Sequence, residues 1–202
     1  MRIAVVIPAL NEEESLPDVI VGLPKEASVV VVDNGSTDGT HGAATRSGAR
    51  VIWEPRRGYG SAVKAGLNAL REDPPDVVVI CDADHADPIE RLDDLLAPIA
   101  KGRADFTLCD RTQHAEPGAL TWTQRFGNWL ATWLMSGATG HRYRDMGPFR
   151  CIRWNALQDL KMEDPTWGWN VEMQMKAVHH KLRVVEVAVS YTHLTLPTIL
   201  LV

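Results

Sequence analysis

Short hydrophobic runs alternate with longer segments of helical spacing along the first half of the chain. The runs predict strands at Arg2–Pro8, Ser28–Asp33, Ala49–Trp53, Val77–Asp82 and Asp105–Cys109. The segments between them predict helices at Glu12–Leu23, Thr40–Ser47, Gly60–Arg71 and Ile89–Ala100. Three of the strands are almost continuous valine and isoleucine, as expected when helices cover both faces of a parallel sheet. The pattern predicts an α/β fold with a doubly wound, mostly parallel sheet.

The second half of the chain has a less regular pattern. Thr121–Met135 and Gly168–His180 have helical spacing, Arg183–Val187 looks like a late strand, and Asp145–Trp154 is mixed. No stretch has the composition of a linker, and no repeat is visible. We therefore expect a single domain over residues 1–188.

The final residues differ in composition from the rest. Val189–Thr198, VSYTHLTLPT, is rich in threonine and leucine, and its back-translation resembles the end of an adapter used to prepare sequencing libraries. We expect residues 189–202 to be a non-native tail and the natural protein to continue beyond about Ala188. A genuine terminal strand followed by a loop is the alternative.

The overall composition is that of a globular protein. The chain has 202 residues, of which 45% are hydrophobic and 23% charged, with a net charge of −5. The negative charge and the lack of a basic stripe argue against general nucleic-acid binding. Three distant cysteines form no zinc or disulfide pattern, and no apolar run approaches the ~20 residues of a membrane span. We expect a cytoplasmic protein.

Polar clusters follow four of the predicted strands. They read PALNEEES, DNGSTDGT, EPRRGYGS and DADHADP, after the first, second, third and fourth strand respectively. In doubly wound sheets, ligands bind beyond the carboxyl ends of the strands. These clusters therefore predict the position of the site.

Asp82 and Asp84 follow the fourth strand and are separated by one residue. On extended backbone, side chains at i and i+2 point to the same face, so both carboxylates can hold one hard cation. Mg²⁺ or Mn²⁺ prefers such oxygen ligands and keeps positions open for water and phosphate. A pair of solvated loop acids is the alternative, but the position at the end of an apolar strand favours a metal site.

Asp33 ends the second predicted strand. Its carboxylate can accept the imide N–H of uracil, or the N1–H and exocyclic amine of guanine. The following Asn34–Thr40 segment is also typical of a turn with a helix cap, and Asn11 can cap the first helix in the same way.

Gly58 and Gly60 permit a tight turn into a helix after the third strand. The N-terminus of that helix can face a phosphate, with Arg56, Arg57 or Lys64 nearby. The glycine spacing is not G-x-G-x-x-G and does not follow the first strand, which argues against a dinucleotide-binding fold.

Four blocks together resemble the nucleotide-sugar-binding half of family 2 glycosyltransferases with the GT-A fold. The blocks are VVIPALNEEESL, VVVVDNGSTDGT, RRGYGSAVKAGL and CDADHADP, in this order. The resemblance covers about residues 2–188. It implies that Asp33 contacts the base and that Asp82 and Asp84 bind a metal–diphosphate. It also implies that the nucleotide pocket is lined by Pro8, Ala9, Asn11 and Glu12.

The second half is similar to the branch that glycosylates polyprenyl or dolichyl phosphate. The similar segments are CDR, QRFGN, DMGPFR and GWNVEM, and the resemblance implies that Arg111 and Arg125 hold the acceptor phosphate. A phosphate monoester, with a second pKa of about 6, is already a nucleophile and needs positioning more than a base. A hydroxyl acceptor would need a carboxylate base, for which Asp145 and Glu172 are candidates. Both acceptors stay open.

Trp122, Phe126, Trp129 and Trp133 form one helical stripe beside Arg125. The stripe can touch the membrane interface and admit an isoprenoid tail, with tryptophans at headgroup depth. A helix packed on the sheet explains the stripe equally well.

We therefore predict an inverting glycosyltransferase that uses a nucleoside-diphosphate sugar and Mg²⁺ or Mn²⁺ on Asp82 and Asp84. The first alternative is a hydroxyl-acceptor transferase of cell-surface polysaccharide synthesis. A sugar nucleotidyltransferase would instead carry a glycine-rich basic loop after the first strand, where this chain has PALNEEES. A nucleotide-sugar-binding module without activity is a further alternative.

Overall fold

The computed structural model describes residues 1–110, 136–137 and 143–188. Its strands are β1 (Ile3–Ala9), β2 (Ser28–Asp33), β3 (Arg50–Trp53), β4 (Val77–Ile80), β5 (Phe106–Asp110), β6 (Arg150–Arg153) and β7 (Val184–Ala188). Its helices are α1 (Leu16–Gly22), α2 (Thr40–Arg46), α3 (Tyr59–Ala69), α4 (Leu92–Ala100), α5 (Trp154–Leu160) and α6 (Trp169–His179). A 3₁₀ turn at Ile89–Arg91 precedes α4.

The described strands form one seven-stranded sheet in the order β3-β2-β1-β4-β6-β5-β7. Strands β3, β2, β1 and β4 run parallel to one another, with β1 between β2 and β4. This is the doubly wound, mostly parallel sheet that the sequence predicts. The C-terminal ends of β1, β2 and β4 therefore lie side by side, which brings their polar loops together.

β6 is an antiparallel strand inserted into this sheet. It pairs with β4 on one side and β5 on the other, with Arg150 opposite Ile80 in the first pair. The sequence pattern of this segment was mixed, because the flanking loop and helix supply polar residues close to a strand of only four residues. The insertion places Arg150 beside Ile80, the last residue of β4, and Asp82 follows Ile80 by two residues.

Each face of the sheet has its own hydrophobic core. One core contains residues of α1 and α4, such as Leu16 and Leu95, against Val5 and Val79 of the sheet. The other contains residues of α3, α5 and α6, such as Val63 and Trp169, with the alternate strand residues. Burial on both faces explains why the strands read as continuous apolar runs instead of alternating.

The first helix begins at Leu16, four residues later than predicted. Asn11 adopts a left-handed backbone conformation with φ of 57°, and Ser15 is the N-cap residue of α1. The expectation that Asn11 could cap the helix is therefore wrong. Its side-chain oxygen instead accepts the backbone N–H of Thr37 at 2.8 Å and ties the loop after β1 to the loop after β2.

In the part of the chain that the structure describes, we find no helix with both the length and the apolar character needed to cross a bilayer.

Candidate functional site

A cavity of about 400 Å³ opens at the C-terminal ends of β1, β2 and β4. Six residues that the sequence predicts to bind the metal or the nucleotide sugar line it, namely Pro8, Ala9, Glu12, Gly58, Asp82 and Asp84. A larger, more open depression of about 860 Å³ lies at the opposite ends of the strands. Its charged groups include Asp105, whose carboxylate is paired with Arg183 and Arg153.

A tight turn after β4 presents Asp82 and Asp84. The backbone N–H of Asp82 donates to Oδ2 of Asp87 at 2.8 Å, and Oδ1 of Asp84 accepts the N–H of Ala86 at 3.0 Å. His85, which follows Asp84, has a left-handed backbone with φ of 61°. This turn leaves both metal-binding candidates half-buried on the wall of one cavity.

The donor set fits a hard divalent cation that shares its coordination with a substrate. Within the described residues, no group of three or more histidine, cysteine, aspartate or glutamate side chains could hold a metal. Two carboxylates on an open cavity are what Mg²⁺ uses when phosphate oxygens and water complete its shell. Asp82 and Asp84 would therefore hold the metal together with the ligand that it binds.

Glu12 adds a third carboxyl group to the same cavity. Burial raises its pKa and the charges of Asp84 and Asp38 raise it further, whereas a hydrogen bond from Ser15 Oγ at 2.6 Å lowers it. The resulting acidic wall would repel a bare diphosphate. A cation between the wall and the diphosphate removes this repulsion.

Arg150 places a buried positive charge behind the acidic turn. Its side chain has no solvent exposure, and its guanidinium donates to the backbone oxygens of Pro148 and Gly147. Burial lowers the pKa of Arg150, whereas the nearby Tyr59, Asp82 and Asp87 raise it. An arginine stays protonated in proteins, so Arg150 supplies a fixed counter-charge to these acids.

Asp33 lies next to the cavity but is engaged in its own loop. The side chain is buried; Oδ1 accepts the N–H of Ser36 at 2.9 Å, and Oδ2 lies 3.4 Å from Nδ1 of His41. The neighbouring Asn34 lines the cavity and links β2 to the loop after β3. Its amide donates to the backbone oxygens of Glu54 and Arg56, and its Oδ1 accepts the N–H of Gly58 at 2.8 Å.

The N-terminus of α3 is occupied by the protein itself. The N–H groups of Gly60 and Ser61 donate to the backbone oxygens of Thr166 and Pro165, at 3.1 and 2.9 Å. The prediction that this helix end faces a phosphate is therefore wrong. The two glycines serve close packing instead, since a Cβ at Gly58 would lie 2.3 Å from the oxygen of Pro165.

We call residues 163–168 the 163–168 loop; it runs along the N-terminus of α3. Lys64, predicted to bind the nucleotide sugar, donates to the backbone oxygen of Glu163 at 3.1 Å and is not among the residues that line the cavity. Asn11 is also absent from that lining. Both residues hold loops in place.

Glu172 anchors the same loop from α6. Its carboxylate accepts the N–H groups of Glu163 and Asp164 at 2.9 and 2.8 Å and pairs with Lys176 at 2.7 Å. Although burial raises the pKa of Glu172, these partners lower it more strongly. A carboxylate with a lowered pKa and committed oxygens is poorly suited to act as a general base.

The other acceptor-side candidates divide into a buried residue and residues outside the described chain. Asp145 is buried, and its Oδ1 accepts its neighbour Met146 N–H at 2.7 Å. Arg111, Arg125 and the predicted stripe of Trp122, Phe126, Trp129 and Trp133 lie outside the described residues.

The sequence did not single out several residues at the site. Tyr59, Thr166 and Trp167 line the cavity, and Asp87 and Arg150 support its acidic turn. Asp87 belongs to the same DADHADP run as Asp82 and Asp84, so this closeness in sequence could have suggested a supporting role. No local signal marks Trp167 or Arg150, because only the folded chain brings them to the end of β4.

Residues 4–162 match the model of the family described as glycosyl transferase family 2. The chain belongs to glycosyl transferase family 2. The mostly parallel seven-stranded sheet, with helices on both faces, is the GT-A fold that the sequence predicts.

The chain is similar to several curated proteins over most of its length. An uncharacterized glycosyltransferase of Mycobacterium tuberculosis is 40% identical over 194 residues, which cover 94% of this chain and 84% of that protein. A dolichyl-phosphate hexose transferase of Haloferax volcanii is 35% identical, over 94% of this chain and 82% of its own. These relatives include the polyprenyl-phosphate branch that the second half of the sequence resembles.

Solved structures share the fold at lower sequence identity. Glucosyl-3-phosphoglycerate synthase from Mycobacterium tuberculosis, in complex with Mn²⁺, UDP-glucose and phosphoglyceric acid, superposes with a TM-score of 0.75 at 23% identity. The match covers 97% of this chain and 72% of the other. At this identity the comparison establishes the architecture.

Proposed function

We propose that this chain is an inverting glycosyltransferase that moves a sugar from a UDP- or GDP-linked donor to a polyprenyl or dolichyl phosphate. The observation that carries the proposal is the pairing of Asp82 and Asp84 on one cavity with Pro8 and Glu12, in a chain of glycosyl transferase family 2. The donor would lie across the ends of β1, β2 and β4. The nucleobase of the donor is expected on the β2 side, where Asp33 offers a carboxylate acceptor.

Asp82 and Asp84 would hold Mg²⁺ or Mn²⁺ against the donor diphosphate. When bound, the metal neutralises charge that builds on the departing nucleoside diphosphate. Asp87 fixes the turn that carries both carboxylates, and Arg150 supplies a buried counter-charge to Asp82 and Asp87 from inside the protein. Gly58 and Ala9 line the cavity with little or no side chain, which leaves room for the donor.

A lipid phosphate is the acceptor that the site favours. Neither Asp145, which is buried, nor Glu172, whose oxygens hold the 163–168 loop, is free to serve as a base for a hydroxyl. An ionised phosphate needs no base, and arginine is well suited to orient it. We assign this role to Arg111 and Arg125. The named relative from Haloferax volcanii, a dolichyl-phosphate hexose transferase, supports the same acceptor class.

The donor assignment is tested by thermal unfolding with UDP- and GDP-sugars, with and without Mn²⁺. At a donor concentration of one hundred times Kd we expect a Mn²⁺-dependent rise in Tm of about 5 °C or more. Asp84→Asn should lose this rise, whereas Asp73→Asn, at the opposite ends of the strands, should keep it. Absence of a Mn²⁺-dependent rise with every donor would overturn the assignment.

The acceptor assignment is tested by sugar transfer to a short polyprenyl phosphate. Arg111→Ala should abolish transfer without changing donor affinity, while Arg103→Ala, an exposed arginine before β5, should be neutral. Transfer to the corresponding polyprenol or to a sugar hydroxyl, retained in Arg111→Ala, would favour the hydroxyl-acceptor alternative. Donor binding without turnover on any acceptor would indicate a binding module.

A further inference from the structure

Trp167 is a large apolar side chain that lines the cavity yet remains 66% exposed. One face of its indole stacks on Tyr59, with ring centroids 5.6 Å apart and an interplanar angle of 22°. Tyr59 is buried beneath it. The stack is a two-layer aromatic wall with its outer indole available to a ligand, as in many small-molecule sites.

The wall is held rigidly by the 163–168 loop. Glu172 accepts two backbone N–H groups of the loop, and Gly60 and Ser61 of α3 donate to two of its carbonyl oxygens. A Cβ at Gly60 would lie 2.1 Å from the oxygen of Asp164, so loop and helix are in direct backbone contact. Trp167 therefore has a defined position, and a ligand that packs on it gains affinity without first ordering the loop.

The wall adjoins the metal-binding carboxylates. Tyr59 lies within electrostatic range of Asp82, and both residues line the same cavity as Trp167. In a nucleotide sugar, the group attached directly to the metal-bound diphosphate, on the side away from the nucleoside, is the sugar ring. A pyranose presents a face of C–H groups, and the electron-rich face of an indole attracts such groups.

We propose that Trp167 is the platform on which the pyranose ring of the donor packs, and that it helps to determine which sugar is accepted. This inference rests on the proposed function. It assigns to Trp167 affinity for the sugar part of the donor, separate from affinity for the nucleoside diphosphate.

The test compares nucleoside diphosphates with their sugars by titration calorimetry in Mn²⁺, using UDP with UDP-glucose and GDP with GDP-mannose. For the pair that binds the wild type, Trp167→Ala should weaken binding of the nucleotide sugar by about three- to tenfold. Binding of the bare nucleoside diphosphate should change less than twofold. Trp167→Phe should restore most of the sugar-dependent affinity. Trp53→Ala is the matched control, because Trp53 is 58% exposed at the end of β3 and does not line the cavity.

Three results would overturn the inference. An equal loss of affinity for nucleoside diphosphate and nucleotide sugar would mean that Trp167 packs on the base. Unchanged donor affinity with a raised KM for polyprenyl phosphate would assign Trp167 to the acceptor, and no effect on either would remove it from the site. Failure of the wild type to bind any of the four compounds in Mn²⁺ would instead refute the proposed function itself.

Discussion

At the scale of single residues, the site depends on side chains that act through their neighbours. Asp87 is only 5% exposed and accepts the backbone N–H of Asp82, so it shapes the turn that carries both metal ligands. Glu172 acts similarly on the 163–168 loop. Neither residue needs to touch a substrate, and a motif search directed at catalytic acids would misassign both.

Replacing Asp87 by alanine should destabilise the protein and weaken metal binding together. The change leaves the Asp82 N–H without its partner, and a buried donor left unsatisfied costs about 1–3 kcal/mol. Urea unfolding measures the loss, and Mn²⁺ titration in the presence of donor measures the second effect. Asp159→Ala, on the exposed end of α5, should stay within about 0.5 kcal/mol of wild type. A stability loss with unchanged Mn²⁺ affinity would contradict the role given to Asp87.

Replacing Glu172 by glutamine should have a pH-dependent cost. The folded-state pKa of Glu172 is lowered, so its stabilisation is present above the unfolded pKa of about 4.3 and lost as pH falls through the folded value. We expect Glu172→Gln to unfold more easily by about 1 kcal/mol at pH 7, and this difference to shrink as the pH falls through the lowered folded-state pKa. Urea midpoints measured over a series of falling pH values test this. A pH-independent difference would mean that the charge of Glu172 contributes nothing.

At the scale of elements, α3 is positioned by a glycine that the sequence pattern passes over. A Cβ at Gly66 would lie 2.5 Å from Cγ1 of Val6 and 3.0 Å from Cγ2 of Val32. The helix therefore approaches β1 and β2 more closely than an alanine would allow. This close approach sets the height of Tyr59 and Gly58 over the end of the sheet, where the cavity begins.

Gly66→Ala should lower the free energy of unfolding, although alanine is the better helix former. Overpacking costs about 1–3 kcal/mol, and the gain in helix propensity of about 1 kcal/mol offsets only part of it. The matched control is Gly42→Ala in α2, where the nearest atom, 3.0 Å away, is the flexible end of Arg46. That variant should be neutral or more stable. If thermal unfolding ranks the two variants in the opposite order, the packing argument fails.

At the scale of the whole molecule, the cavity exists only when distant parts of the chain meet. Its wall combines the ends of β1 and β4, the start of α3 and the 163–168 loop, which are separated by up to about 160 residues of chain. The opposite ends of the strands carry a separate set of ion pairs, including Arg183 with Asp105 at 2.6 Å. Ligand effects should therefore be confined to one end of the sheet.

Hydrogen exchange should distinguish the two ends of the sheet. Donor with Mn²⁺ should slow exchange of amides in the acidic turn, residues 82–87, and in the 163–168 loop, because binding stabilises the structure that protects them. Amides around Asp76 and Arg183 at the other end should slow only as far as global stability rises. Selective protection at the Arg183 end would place the ligand in the larger depression instead.

The sequence by itself determined the layout of this protein. Continuous apolar strands, helical segments and polar strand ends predict a doubly wound sheet with a site at the ends of β1, β2 and β4. The place of the acidic pair directly after the fourth strand is also set by the sequence, although β4 ends at Ile80 and a tight turn, not strand periodicity, puts Asp82 and Asp84 on one wall of the cavity.

Only the tertiary structure decided what each remaining residue does. Lys64 and Glu172 looked like ligand or catalytic residues, yet the structure commits their polar groups to the 163–168 loop, against which Gly58 and Gly60 pack closely. Arg150 and Trp167 gave no local signal, but an antiparallel insertion and a loop from late in the chain bring them to the site. Hydrogen-bond partners and burial depend on contacts between residues far apart in sequence, and spacing along the chain carries no record of them.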